Sequence, residues 1–266
     1  MYMLKKTIIG ILNLGLLFAI ILPSIISCKT THAQIKSPKV YHSKIPIESF
    51  AFITIIKDIE PTGCKKQKKL EECKKLLEKL PIVSSRSTGS GMLMAHNGKR
   101  FVITAAHVCQ TPDIKETVYQ GFKINLKSTN RIQMTFSGGK TFITKIAHLD
   151  TDHDICILLP PKKSISPQPV YLAKKPPEKG DKIYNIAAPL GIFGDNLTLV
   201  FEGRYSGKNR GMHYYTVPAR PGSSGSVVLN KNYRVVGTVN IAVTHLESVG
   251  IGTGWEDLKS ILDKIR

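Results

Sequence analysis

An all-β body is what this sequence predicts, and three observations carry the prediction. Short runs rich in β-branched, aromatic and aliphatic residues recur at 50–56, 91–95, 100–105, 122–126, 132–136, 141–147 and 155–159, with turn residues between them. After Pro160-Pro161 and a polar stretch, such runs resume at 182–187, 197–202, 214–218, 226–229 and 235–241. Helical spacing is confined to two short places. This pattern suits strands closed into a sandwich or barrel rather than alternating βα units.

The N-terminal 33 residues stand apart from that body. Lys5 and Lys6 precede an apolar run over 8–26, and no acidic residue occurs before Glu48. A basic start followed by an apolar run is the pattern of an export signal. Thr31-His32-Ala33 offers a peptidase site that would leave Gln34 first, whereas Ile25-Ile26-Ser27-Cys28 loosely matches a lipoprotein signal with Cys28 as the lipidated residue. The run also nearly reaches the roughly 20 residues of a retained membrane anchor. All three readings export the body to a periplasmic or extracellular location, and the last two attach it to a membrane.

The body divides into a β unit at 34–160, a proline-rich link at 161–169 and a second β unit at 170–254. Residues 255–266 close the chain as an amphipathic helix, with Leu258, Ile261, Leu262 and Ile265 at helical spacing. The stretch 64–80 interrupts the first unit with seven lysines and three glutamates around Leu70, Cys73, Leu76, Leu77 and Leu80, and reads as an inserted basic helix. It offers either a docking surface for an anion or membrane, or a solvated helix covering a barrel edge.

Composition narrows the classes. Hydrophobic residues make up 42% and charged residues 21% of the 266, which excludes collagen-like and wholly disordered chains. Lys plus Arg number 38 against 19 Asp plus Glu, a net charge of +19 that favours anionic partners. Without residues 1–33 the balance is 35 against 19, or +16. No nucleic-acid motif accompanies this charge, so no specific nucleic-acid partner is expected.

Three motifs carry chemistry. Pro221-Gly222-Ser223-Ser224-Gly225 places a serine between glycines, directly before the apolar run Ser226-Val227-Val228. That arrangement suits a nucleophile on a tight turn, because glycine reaches backbone conformations closed to other residues. The N–H groups of Gly222 and Ser224 would then form a pair of donors for an oxyanion. Thr104-Ala105-Ala106-His107 ends a β run in small residues and sets an imidazole at a strand-to-helix corner. Asp152-His153-Asp154 stands before the apolar run at 155–159, where a carboxylate can orient a histidine away from water.

Taken in the order His, Asp, Ser, the segments TAAHVC, DHDICILL and PGSSGSVV resemble the trypsin-like serine peptidases. STGSGMLM at 87–94, KGDKIYNIAAPLG at 179–191 and YRVVGTVN at 233–240 are similar to segments of bacterial HtrA-type proteases and glutamyl endopeptidases. The resemblance covers about 45–266 and implies two Greek-key β-barrels of the chymotrypsin type with a short C-terminal helix. It implies Ser224 as nucleophile, His107 as general base and then acid, Asp154 as the carboxylate that fixes the imidazole, and Gly222 with Ser224 as the oxyanion hole. Asp154 is preferred to Asp152 because the apolar run continues directly from it. The chain ends too soon after the second barrel for the PDZ domain of HtrA-type proteases.

The substrate pocket follows from the same resemblance. The position six residues before the serine, where tryptic enzymes carry an aspartate, is Pro218. The position of the glutamate-reading histidine is Val239, with Asn240, Ile241 and Ala242 further along the wall. A small or medium apolar substrate residue is therefore expected. His213 and His245 are the only nearby histidines that would instead support acid recognition.

Metals and cofactors are not expected. Asp150, Asp152 and Asp154 alternate like a calcium loop, but Ile155 stands where its glycine belongs and Pro161 where its bidentate glutamate belongs. Cys64 and Cys73 suit a local disulfide in an exported protein. Cys109 and Cys156 either pair, since the triad would bring their segments together, or leave Cys156 as a buried thiol. The expected function is thus an exported serine endopeptidase acting on protein or peptide substrates. A non-catalytic protein on the same scaffold, binding anionic surfaces or polymers, is the alternative.

Overall fold

The structure, a computed structural model, describes residues 45–65, 69–243, 245–246 and 248–265, so the export signal and Cys28 lie outside the described residues. Two sheets curl into two barrels. In the first, Phe50–Cys64 pairs antiparallel with Val83–His96 on one side and Phe122–Phe136 on the other. Val83–His96 turns at Asn97-Gly98, both at positive φ, into Lys99–Thr104. That pair of left-handed residues matches the twist of a tight hairpin. Lys99–Thr104 pairs with Ile155–Leu158, and Ile155–Leu158 with Ile146–Asp150. Thr141–Thr144 pairs back onto Phe122–Phe136 and runs into Ile146–Asp150 through Lys145, which closes the ring.

The second barrel is centred on Lys182–Ala187, between Leu199–Asn209 and Ser226–Asn230. Ser226–Asn230 pairs with Val235–Val239, while Leu199–Asn209 continues through Met212–Tyr215 to Gly250–Gly252. Thr238 N–H donates to Thr253 O and Asn240 N–H to Ile251 O, each at 2.9 Å, and the ends of the sheet meet. The helix Trp255–Lys264 follows, burying Leu258, Ile261 and Leu262. Among the described residues no helix is long and apolar enough to cross a membrane.

The alternation of side chains along the strands explains why the chain needs both barrels. Ala51, Ile53, Ile55, Leu93 and Val102 face the interior of the first barrel. Their strand neighbours Phe50, Met92, Met94, Phe101 and Ile103 face outward, into a core shared with Ile186, Val227, Leu229, Val235 and the C-terminal helix. Val228, Val236 and Val239 fill the second barrel. Strands apolar on both faces cannot leave either one in water, since each fully buried Leu, Ile or Phe contributes about 1.5–3 kcal/mol. The seam between barrels is thus a third core.

Several elements differ from the sequence expectation for physical reasons. The first strand extends to Cys64, through a register shift between Pro61 and Gly63, rather than stopping at 56. The inserted helix is correspondingly short, Leu70–Leu77, and is tied to that strand by Cys64–Cys73. The runs at 122–126 and 132–136 are one strand, carried across their polar middle by pairing with Phe50–Cys64. Glu116–Tyr119 forms an additional edge strand, exposed along its length and held by pairing with Phe122–Phe136. Cys109 and Cys156 are bonded to each other, so Cys156 is not a free thiol.

Candidate active site

His107 sits on the four-residue helix Ala106–Cys109, directly after the strand Lys99–Thr104. Asp154 occupies the turn before Ile155–Leu158 with φ at 54°, a left-handed conformation that aspartate tolerates better than most residues. One carboxylate grips both the backbone and the ring. Asp154 Oδ1 accepts the His107 backbone N–H at 2.9 Å, and Oδ2 lies 2.8 Å from His107 Nδ1. The proton therefore belongs on Nδ1, which leaves Nε2 as the basic nitrogen. The hydrogen bond to Asp154 pushes the His107 pKa above its ordinary value, against partial burial and with help from the carboxylate charge. Asp152 makes no such contact. The disulfide joins residues two positions beyond His107 and two beyond Asp154, so it staples together the segments that carry the pair.

Ser224 stands on a turn at the seam. Ser223 N–H donates to Arg220 O at 2.8 Å and Ser226 N–H to Ser223 O at 2.9 Å, which winds the chain tightly around the serine. Gly222 and Gly225 take φ of 94° and 82°. A Cβ on Gly225 would lie 2.4 Å from Ala105 N and 2.5 Å from Ser90 O, so glycine here allows the second barrel to touch the strand leading to His107. The N–H groups of Gly222 and Ser224 donate to no described residue, whereas Leu190 N–H donates to Pro221 O at 2.6 Å. That bond turns the Pro221 carbonyl one way and, across the planar peptide, the Gly222 N–H the other.

Two residues that the motifs did not single out for these roles hold the parts in place. Ser90, fully buried on the first barrel, donates from Oγ to Gly222 O at 2.7 Å and accepts from Ala188 N–H at 2.9 Å. Its backbone N–H donates to Ser224 O at 2.8 Å. Asn240, on the second barrel, donates from Nδ2 to Asp154 O at 3.0 Å, and its own carbonyl accepts from Ser224 Oγ at 3.4 Å. Thr253 Oγ1 donates to His153 O alongside it. Each barrel therefore steadies the functional loop of the other.

The remaining candidates are dispersed. Val239 is buried in the second barrel with its methyls towards Gly250. Pro218 is half-buried, and Ile241 and Ala242 form a short exposed strand. Asn240 and Ile241 share a cavity of about 210 Å³ with Asp154, Met212 and Thr253. His213 is buried, bonded through Nδ1 to Tyr205, and burial holds its pKa below the ordinary value. His245 lies exposed in the loop that follows Ala242. No group of metal-binding side chains occurs among the described residues.

A mostly β chain of two barrels, with a histidine–aspartate pair on one and a glycine-flanked serine turn on the other, defines a chymotrypsin-like architecture. Comparison with known proteins agrees. The family described as Trypsin-like peptidase domain matches residues 89–237, more than half of the chain, and the chain belongs to that family. A curated relative, a serine protease HtrA-like protein of Staphylococcus haemolyticus, is 23% identical over 209 residues; the match covers 71% of this chain and 30% of that protein. Among solved structures, the serine endoprotease of Yersinia pestis superposes with a TM-score of 0.56 at 14% identity, over 83% of this chain and 64% of that one. An HtrA-type protease determined with a tripeptide gives 0.56 at 15% identity, over 83% and 61%. The chain thus spans less than a third of its curated relative and under two thirds of either structure.

Proposed function

We propose that this protein is an exported serine endopeptidase whose triad is His107, Asp154 and Ser224. The observation that carries the reading is the doubly bonded His107–Asp154 pair, set beside a serine turn with two uncommitted backbone donors. Ser224 Oγ turns from the Asn240 carbonyl towards His107 Nε2 on substrate binding, a tightening common when an unliganded site fills. It attacks the peptide carbonyl as Nε2 takes its proton. The N–H groups of Gly222 and Ser224 receive the oxyanion. Collapse breaks the C–N bond, and His107 returns the proton to the leaving amine. Water, deprotonated by the same imidazole, then releases the acid and restores Ser224. Asp154 stabilises the imidazolium throughout without itself taking the proton. No metal or cofactor enters the sequence of steps.

The substrate residue before the scissile bond is small or medium and apolar, in keeping with Pro218 where a charge-reading aspartate would stand and with the exposed, apolar Ile241. Reaction with a fluorophosphonate probe, read by intact mass, tests the chemistry: one adduct is expected on the protein and none on Ser224→Ala or His107→Ala. A folded protein that takes no adduct refutes the triad. Preference for a glutamate or arginine peptide over a valine or alanine one refutes the pocket and leaves the triad standing.

A further inference from the structure

At the end of the first barrel away from the seam strands, one sheet face is apolar and open. The register puts Ile59 opposite Val83, Pro61 opposite Leu126, and Ile124 opposite Thr117, with Tyr119 two residues further along the edge strand. Paired positions share a face, so these side chains form one continuous surface. Leu80 and Pro81, which follow the helix Leu70–Leu77 clipped to the first strand by Cys64–Cys73, line it as well. The surface is an open groove of about 430 Å³, floored by Ile59, Pro61 and Leu126 and rimmed by Val83, Ile114 and Tyr119. Val83 is 56% exposed, Tyr119 45% and Ile114 42%. An exposed apolar patch of this kind on a folded protein marks a contact surface.

The charge beside the groove indicates what it meets. The segment 64–80, whose last residue Leu80 lines the groove, carries seven lysines and three glutamates in its sequence. Lys75 and Lys79 are exposed and have no ion-pair partner among the described residues. A two-fold contact between copies of this chain would set one lysine cluster against the other, which disfavours a second copy as occupant. The groove wall offers almost no hydrogen-bonding groups with which to orient a specific peptide. An apolar surface beside unneutralised lysines matches the boundary between headgroups and acyl chains of an anionic bilayer.

We propose that this face docks the protein on an anionic lipid membrane, with the groove residues entering the acyl boundary and the lysines meeting the headgroups. The surface is built entirely from residues of the folded body.

Tyr119→Trp in the full chain tests the proposal, since the only native tryptophan, Trp255, lies on the second barrel with its Nε1 bonded to Ala173 O. On phosphatidylserine–phosphatidylcholine vesicles the new tryptophan should shift to the blue and be quenched by brominated acyl chains; on pure phosphatidylcholine it should do neither. Adding Lys75→Glu with Lys79→Glu should weaken the response at least about tenfold, since each basic residue near such a surface is worth roughly fivefold. Ser224→Ala should leave it unchanged, which separates this proposal from the triad. Protein that sediments with vesicles while residue 119 stays unquenched overturns it, because the N-terminal run alone would then be binding. A blue shift without vesicles that grows with protein concentration also overturns it, in favour of self-association. Equal quenching on neutral vesicles overturns the role of the lysines.

Discussion

Ser90→Ala is the substitution that most directly tests how the barrels share the site. The hydroxyl removed is fully buried and satisfies two groups at once, the Gly222 carbonyl and the Ala188 N–H. The hole left by one oxygen is too small for a replacement water. Each stranded buried group costs about 1–3 kcal/mol, so partial relaxation leaves a loss of roughly 2–4 kcal/mol. In a domain of this size that lowers the melting temperature by about 5–15 °C. The catalytic effect is separate. Gly222 supplies one of the two proposed oxyanion donors, and losing such a donor altogether lowers turnover about 10²–10³-fold. Loosening rather than deleting it should therefore lower kcat about 10–100-fold with little change in KM.

The assay pairs thermal melts with fluorophosphonate acylation rates and peptide kinetics. Ser49→Ala is the control: Ser49 is also buried, also donates a side-chain bond to a distant carbonyl, that of Gln168, and lies outside the serine turn. It should melt lower and keep its kcat. Ser90→Ala that loses stability but acylates at the parent rate would refute the claim that Ser90 positions the donors.

Three further outcomes follow from the geometry. Asp154 raises the His107 pKa, so activity should rise with pH along a limb centred above the ordinary 6.5; Asp154→Asn should move the limb down and reduce kcat about 10⁴-fold. The same raised pKa means the pair favours the folded state below the unfolded histidine pKa, and that this contribution fades as pH rises through the folded value. Gly225→Ala adds a left-handed penalty of about 1–2 kcal/mol and drives a methyl into Ala105 N and Ser90 O, so kcat/KM should fall at least about 10²-fold. Cys109→Ala with Cys156→Ala opens a loop of 47 residues, worth about 4 kcal/mol by chain entropy, and reductant should lower the melting temperature of the parent by more than that of this variant, which keeps only Cys64–Cys73.

What the sequence made readable was chemistry carried by contiguous residues. A serine between glycines, small residues before a histidine and an aspartate before an apolar strand each declare their local backbone needs. The roles of Ser90 and Asn240 depend instead on strand register, which no local pattern reports. Ser90 is one serine among several in 84–90, and only its pairing opposite Phe52 and its approach to Ser224 single it out. The stretch 57–64 shows no apolar run, with Lys57, Asp58 and Glu60 charged and Pro61 and Gly63 turn residues in isolation. Continuous pairing with Phe122–Phe136 overrides them at the cost of one register shift.

The seam is also where folding and the proposed chemistry become the same problem. Phe50, Met92, Ile103, Val227 and Leu229 must be buried between the barrels because each lies on a strand whose other face is already committed to a barrel interior. Once they are buried, Gly225 is pressed against Ala105, Ser90 reaches Gly222, and Asn240 reaches the Asp154 carbonyl. The apolar contacts fix how the barrels dock, and a few hydrogen bonds convert that docking into placement of the serine relative to the histidine. A substitution within the seam core, such as Leu229→Ala, should therefore do two things that one in the first barrel's interior, such as Leu93→Ala, does not do together. Both should destabilise by about 2–5 kcal/mol. Only the first should also slow fluorophosphonate acylation under conditions where the protein remains folded. Equal slowing by both would mean that site geometry follows global stability rather than the docking of the two barrels.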